Sequence, residues 1–265
     1  MEVERLPAPG ERAKPRSDGE HLIMRRVGQA IGDYGLVRAG DRILVGISGG
    51  KDSFALLHML ELHRRRFEHE FELLPVFLDA GWDPPAADRV EARFAEQGLR
   101  VERVVRHIRP LVEQRLRPGS SPCAFCSRLR RGALYALASE RGCDAIALGH
   151  HLDDLLETLL LNLFFSGQLK SMAIDLRSDD GRNRVIRPLA YVEAERLAAF
   201  CRERRFEPVQ LACPYFAGHR EPQREMARRL IADVGRIHPR VRRSMLAALK
   251  HVRPSHLLDS GLRRQ

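Results

Sequence analysis

Residues 43 to 53 read Ile-Leu-Val-Gly-Ile-Ser-Gly-Gly-Lys-Asp-Ser, an apolar, β-branched run that breaks into a glycine turn carrying Ser48, Lys51, Asp52 and Ser53. The run ending at Ile47 has the composition of a buried parallel strand. Phe54, Leu56, Leu57, Leu60 and Leu62 supply the apolar stripe of a following helix. The glycines therefore fall where a strand gives way to a helix. Gly49 and Gly50 can adopt φ > 0 and admit a ligand close to the backbone, so that successive N–H groups and the helix N-terminus point at an anion. Lys51 adds a full positive charge, and the segment reads as a phosphate cradle.

Two other readings fit it less well. A Walker-type loop needs Gly-Lys followed by Ser or Thr, and here Lys51 precedes Asp52. Gly46-Ile47-Ser48-Gly49-Gly50 satisfies the Gly-x-Ser-x-Gly pattern of a hydrolase nucleophile elbow, but no strand precedes residue 43 to supply an oxyanion loop. A plain strand-to-helix turn would need neither Lys51 nor the second serine.

Outward from this segment, further strands are expected at 73–78, 101–105 and 145–148, with a weaker one around Val185 and Ile186. Helices are expected over 20–37, 52–66, 84–97, 127–141, 152–165 and 191–204. The alternation argues an α/β fold, a doubly wound parallel sheet with right-handed crossovers. Ligands of such sheets bind at the carboxyl ends of the strands, near the switch in strand order. Asp79, directly after Val76-Phe77-Leu78, occupies one such end. Gly149, His150, Asp153 and Asp154 follow the strand at 145–148 and are expected at the same edge, binding magnesium or positioning ATP. Acids in a first helical turn also favour the helix dipole without any ligand. From about residue 206 the alternation stops, and two basic helices follow near 222–236 and 240–250. The expected organisation is a disordered tail over 1–19, a nucleotide-binding α/β domain over 20–205, and a basic helical extension over 206–265.

Cys123 and Cys126 stand two residues apart at an expected helix start, where both can face one metal and the helix end favours thiolate. Half a zinc site, a redox disulfide and part of an iron–sulfur cluster all use such a pair. No second Cys-x-x-Cys exists to close a zinc site, and a thioredoxin-type pair belongs in the first βα unit rather than after the third strand. Cys213 lies in a loop outside the regular alternation and is the natural third ligand. Cys143 and Cys201 have apolar neighbours and read as buried thiols. Three thiolates on a cubane leave one iron open to a sulfur donor.

Ser48-Gly49-Gly50-Lys51-Asp52-Ser53 resembles the pyrophosphate-loop signature of the N-type ATP pyrophosphatase (PP-loop) superfamily. That resemblance implies cleavage of ATP between the α and β phosphates and adenylation of a substrate oxygen, with Lys51 and Asp52 in catalytic positions. Cys123-x-x-Cys126-Ser127-Arg128-Leu129-Arg130-Arg131-Gly132, residues 146–154, Ile186-Arg187-Pro188-Leu189 and Val252-Arg253-Pro254-Ser255-His256-Leu257 are similar to tRNA 2-thiocytidine synthetases, over most of residues 20–259. The likeness implies ATP-dependent thiolation of a tRNA cytidine at anticodon-loop position 32. It further implies Mg2+ and a 4Fe-4S cluster on Cys123, Cys126 and Cys213, with Cys213 also catalytic. A cysteine desulfurase or other sulfur donor and a homodimer follow from the same likeness. Cys213-Pro214-Tyr215-Phe216 departs from the family's Cys-x-x-Cys-Gly and resembles the tRNA 2-thiouridine relatives. A thiouridine synthetase-like enzyme, a cluster-independent ligase of the lysidine synthetase kind and a non-catalytic iron–sulfur RNA-binding protein are the rival expectations.

The 265-residue chain carries 45 Lys and Arg against 35 Asp and Glu, a formal charge of +10, which favours a polyanionic partner. Between Arg224 and Arg253 nine basic residues face only Glu225 and Asp233, so the charge concentrates near the C-terminus. No apolar run of about 18 residues is present, and the N-terminus has no apolar signal core, so a cytoplasmic protein is expected.

Overall fold

The computed structural model describes residues 17–66, 70–116, 119, 121–215, 222–259 and 261. Most of the tail expected over 1–19 lies outside the described residues. Ser17 already caps the first helix, α1 (Asp18–Tyr34), its Oγ accepting from Glu20 N at 3.1 Å. The chain continues through β1 (Arg42–Ile47), α2 (Lys51–Arg64), β2 (Glu72–Asp79), α3 (Pro84–Glu96), β3 (Glu102–Val105), α4 (Ile108–Arg115), α5 (Pro122–Glu140) and β4 (Ala145–Ala147). There follow α6 (Leu152–Leu161) with a π-helical turn at Asn162–Ser166, β5 (Asp175–Arg177), β6 (Arg184–Ile186), α7 (Ala194–Glu203), α8 (Pro222–Ile237) and α9 (Val241–Lys250).

The described residues form two compact bodies. One holds the residues up to 151 together with 173–215; the other holds 152–172 with the residues from 222 onward. The first body is built on a six-stranded sheet in the order β3-β2-β1-β4-β6-β5. The pairs β1–β2, β1–β4, β2–β3 and β4–β6 are parallel, as expected of a doubly wound sheet, and the strand order reverses between β1 and β4. β5, which the sequence reading did not include, adds an antiparallel edge. With side chains alternating at period two, Leu44, Leu74, Val76 and Leu78 face the core cluster that α4 and α5 complete through Ile108, Val112, Leu137 and Ala138. The opposite face is covered by α2 and α3, joined by α1 and α7. There Phe54, Phe94, Phe200 and Phe206 pack ring on ring, with Phe54 and Phe206 stacked at 4.0 Å.

The second body buries Leu152, Leu156 and Leu160 of α6 against Ala227 and Ile231 of α8 and Val241 of α9. The grouping thus differs from a division at residue 206. Phe206 is buried in the aromatic cluster, which keeps the following loop on the first body, while the apolar stripe of α6 is buried by the C-terminal helices.

Candidate phosphate loop and thiol site

β1 is a central strand, and its carboxyl end lies at the reversal of strand order. Gly49 adopts φ +82°, and a Cβ there would stand 2.8 Å from Val90 Cγ2, so both conformation and space call for glycine. Gly50 departs from the expectation of φ > 0. It is extended, at φ −85°, because it is the N-cap of α2, and it offers no side chain to the first-turn N–H groups. The two serines brace the turn. Ser53 Oγ donates to Gly50 O at 2.9 Å and accepts from Ser48 N at 3.2 Å, and Ser48 Oγ, 3.1 Å from Ser53 Oγ, accepts from Gly50 N at 3.3 Å. Lys51 Nζ is ion-paired with Asp52 Oδ1, and His151 Nε2 stands 3.8 Å from the same carboxylate oxygen. The result is a small loop with a cation at its mouth and a helix N-terminus behind it, which suits a polyphosphate.

Gly149, at the end of β4, meets this loop from the neighbouring strand. A Cβ there would fall 3.1 Å from Asp52 C and 3.2 Å from Ser53 N. Beside the expected His150, the structure brings His151 to this loop, a residue that the sequence did not single out. Alternation after a short strand could have favoured either residue. Asp79, expected to bind nucleotide, is buried at the end of β2. Its Oδ1 accepts from Gly81 N at 2.8 Å and its Oδ2 from Arg103 Nε and Nη2 at 3.0 and 2.6 Å. The hydrogen bonds and charge of Asp79 raise the pKa of Arg103 further, and the pair ties β2 to the edge strand β3.

Residues 209–215 link the parts of this first body. Val209 N donates to Gly49 O at 3.0 Å, Ala212 N donates to Asp83 Oδ2 at 2.9 Å, and Tyr215 O lies 3.8 Å from Cys123 Sγ. The Ala212 N–H, aided by the Ala86 N–H and by Arg89, holds the Asp83 carboxyl below its ordinary range. No local periodicity marks this strap, and the sequence reading took from it only Cys213.

The helix carrying Cys123 and Cys126 begins at Pro122, with Ser121 Oγ capping Ala124 N at 3.3 Å, rather than at residue 127. The pair is therefore one turn apart within α5, on one helix face. None of the five cysteines is in a disulfide; Cys123 is exposed, and Cys126 and Cys213 are half-buried. Among the described residues no three His, Cys, Asp or Glu side chains already stand as a metal-binding group. What the fold does supply is three thiols outside any disulfide, two at a helix N-terminus and the third on the strap that touches Cys123, a donor set that fits a thiolate-held cluster. The other two thiols differ. Cys143 is half-buried, with its pKa raised by burial. Cys201 is buried and donates to Lys51 O at 3.4 Å, its pKa pushed up to about 12 by burial and then by the Asp52 charge.

Asp153 and Asp154 belong to the second body. Asp153 Oδ1 accepts from Arg242 Nε at 2.7 Å, and Asp154 Oδ1 lies 3.9 Å from Arg224 Nη1. Glu157, 2% exposed, accepts from Arg228 Nε at 3.0 Å and Arg224 Nη1 at 3.4 Å. The acids after β4 thus anchor α8 and α9 on α6. No helix among the described residues is long and apolar enough to cross a membrane.

A braced glycine loop at the switch point of a parallel sheet, ending on Lys51 and Asp52, defines a PP-loop domain, and the PP-loop domain family matches residues 20–210. Over 242 residues the chain is 46% identical to the tRNA-cytidine(32) 2-sulfurtransferase of Geobacter sulfurreducens, covering 91% of this chain and 94% of that one. It is 46% identical over 246 residues to the enzyme of the same name from Anaeromyxobacter sp. (strain K), covering 93% and 84%. Within the PP-loop domain proteins, the chain belongs to the tRNA-cytidine(32) 2-sulfurtransferase family. In fold it matches the U34-tRNA thiolase of Methanococcus maripaludis, solved with its [4Fe-4S] cluster, at a TM-score of 0.71 and 19% identity over 94% of this chain and 86% of that one.

Proposed function

We propose that the protein is an ATP-dependent tRNA sulfurtransferase that replaces O2 of cytidine 32 with sulfur. The observation that carries this reading is the strap 209–215, which bonds to the phosphate loop at Gly49 and reaches the thiol helix at Cys123, so one segment serves both half-reactions. In the first half, O2 of the cytosine attacks the α phosphorus of ATP and the bond to the β-phosphate oxygen breaks. Pyrophosphate leaves into the Ser48–Ser53 loop, and O2 is adenylated. Lys51 and the N-terminus of α2 offset the phosphate charge, while Asp52, held between Lys51 and His151, orients the lysine and provides a carboxylate for Mg2+. In the second half, sulfur at the oxidation level of sulfide attacks C2, the C2–O bond breaks, and AMP departs with the oxygen. No net oxidation is required.

Cys123, Cys126 and Cys213 would hold a 4Fe-4S cluster, whose iron without a protein ligand supplies a position for that sulfide. A sulfide source is the partner this chemistry demands, a cysteine desulfurase serving as one only together with a two-electron reductant that releases its persulfide sulfur as sulfide, and the cytoplasm, where these meet tRNA, is its setting.

The test is iron and acid-labile sulfide on protein purified or reconstituted without oxygen, together with AMP and 2-thiocytidine formed with tRNA. About four irons per chain, lost in Cys213→Ser, with AMP release that depends on tRNA, is the expected outcome. A metal-free or zinc-bearing protein that still forms AMP with tRNA would replace this reading with a cluster-independent adenylating ligase.

A further inference from the structure

α6 ends in the π-helical turn Asn162–Ser166, and there the second body turns three consecutive apolar residues outward. Leu163 is 45% exposed, Phe164 50% and Phe165 49%, and Leu169 just beyond them is 62% exposed. A run of outward apolar residues works against solubility and is a fault in a fold unless it has a function. π-helical turns are rare and likewise gather at functional positions. This turn is held firmly. Gly167, at φ +60°, closes it with its N–H on Asn162 O, and Gln168 N donates to the same oxygen at 3.0 Å. Asn162 Nδ2 donates to Lys170 O at 3.0 Å, and Ser171 Oγ donates to Leu155 O at 2.6 Å. Both rings thus stand on a fixed backbone, and little ordering remains for a partner to impose.

Charge and size select the partner. Between Glu157 and Asp175 the chain has Lys170 and no acid. Lys170 is exposed and in no ion pair among the described residues. The described residues of this body hold ten Lys and Arg against six Asp and Glu, a balance that favours a polyanion. Two half-exposed rings leave about 150–250 Å² to cover. With the two leucines the patch still falls well short of the roughly 800 Å² that each partner of a stable protein interface buries. Successive helical side chains also diverge by about 100°, so Phe164 and Phe165 do not share one plane. Two divergent rings suit two separate flat faces. Unpaired nucleobases present such faces, and every base can stack on an aromatic ring.

We propose that Phe164 and Phe165 form a stacking platform for unpaired bases of the tRNA anticodon loop; the proposal rests on the thiolation reading above, which brings that loop to the protein. The platform distinguishes an open loop from a paired stem and reads no sequence, because each base offers the same kind of face.

The test titrates the intact protein, by anisotropy, with a labelled anticodon stem-loop RNA and with a fully paired duplex of the same stem. Phe164→Ala combined with Phe165→Ala should weaken stem-loop binding about ten- to a hundredfold and leave duplex binding unchanged. The slope of log affinity against log salt should keep its wild-type value, because a stacked ring releases no counterions. Phe164→Tyr combined with Phe165→Tyr keeps both faces and should bind the stem-loop as wild type does. ATP affinity and melting temperature should hold in both variants. Unchanged stem-loop affinity in the alanine variant, or equal losses for stem-loop and duplex, would overturn the platform and leave the thiolation reading intact. So would altered sedimentation of the alanine variant at wild-type RNA affinity, which would make the turn a contact between copies of the chain. Wild-type protein that binds neither the stem-loop nor tRNA, and forms no AMP with tRNA, would overturn both.

Discussion

A methyl group at Gly149 would meet three main-chain atoms of α2's first turn, Asp52 C at 3.1 Å and Asp52 O and Ser53 N at 3.2 Å, and none can withdraw without moving the phosphate loop. Overpacking of this kind costs about 1–3 kcal/mol. Gly149→Ala is therefore expected to lower stability in denaturant by that order and to weaken ATP binding in parallel; unchanged ATP affinity would show that the loop is not held from β4. Cys201 sits on the other side of the same turn, with its thiol on Lys51 O. Its pKa in the folded chain is about 12 against an ordinary 9.0, so the folded state holds the proton more tightly than the unfolded one. That contribution to stability is complete below pH 9 and is lost as pH rises from about 9 towards 12. Unfolding free energies measured across this range should decline, and Cys201→Ala should flatten the decline. An identical slope in the variant would assign the loss to other groups.

At the scale of elements, what was legible followed from local pattern. The strand ending at Ile47, the glycine turn and the following helix are one continuous signal. The structure places β1 at Arg42–Ile47 and α2 from Lys51, within a residue of expectation. The missed elements lack such a signal. β5 has three residues, and only its pairing with β6 makes it a strand; α4 is an eight-residue helix whose Ile108 and Val112 acquire a partner only against α5. α5 begins five residues before residue 127 because Ser121 and Pro122 form a cap and first turn. The site divides in the same way. Ser48 to Ser53 and the pair Cys123 and Cys126 are contiguous motifs. The Arg103 clamp on Asp79, the His151 approach to Asp52 and the strap from Val209 to Tyr215 arise from contacts between residues 24 or more positions apart. No local spacing encodes those contacts.

At the scale of the whole molecule, the net charge of +10 overstates the cations open to RNA. In the second body Arg242, Arg224 and Arg228 are committed to Asp153, Asp154 and Glu157, and Arg229 and Arg236 to Glu225 and Asp233. Arg240, Arg243 and Arg253 are exposed and have no ion pair among the described residues. A cation already neutralised by a carboxylate displaces few counterions when RNA arrives, whereas an uncommitted one displaces nearly a full charge's worth. Each phosphate neutralised contributes about 0.7–0.9 to the slope of log affinity against log salt. Replacing Arg240, Arg243 and Arg253 together by Ala should therefore lower the slope for tRNA by about two to three units while leaving thermal stability near wild type. Arg242→Ala removes the partner of Asp153 and should do the reverse, lowering the melting temperature with little change in slope. Salt titrations of tRNA binding beside thermal melts separate the two classes. Equal slope losses in both variants would mean that RNA breaks the Asp153 pair on binding and takes its arginine.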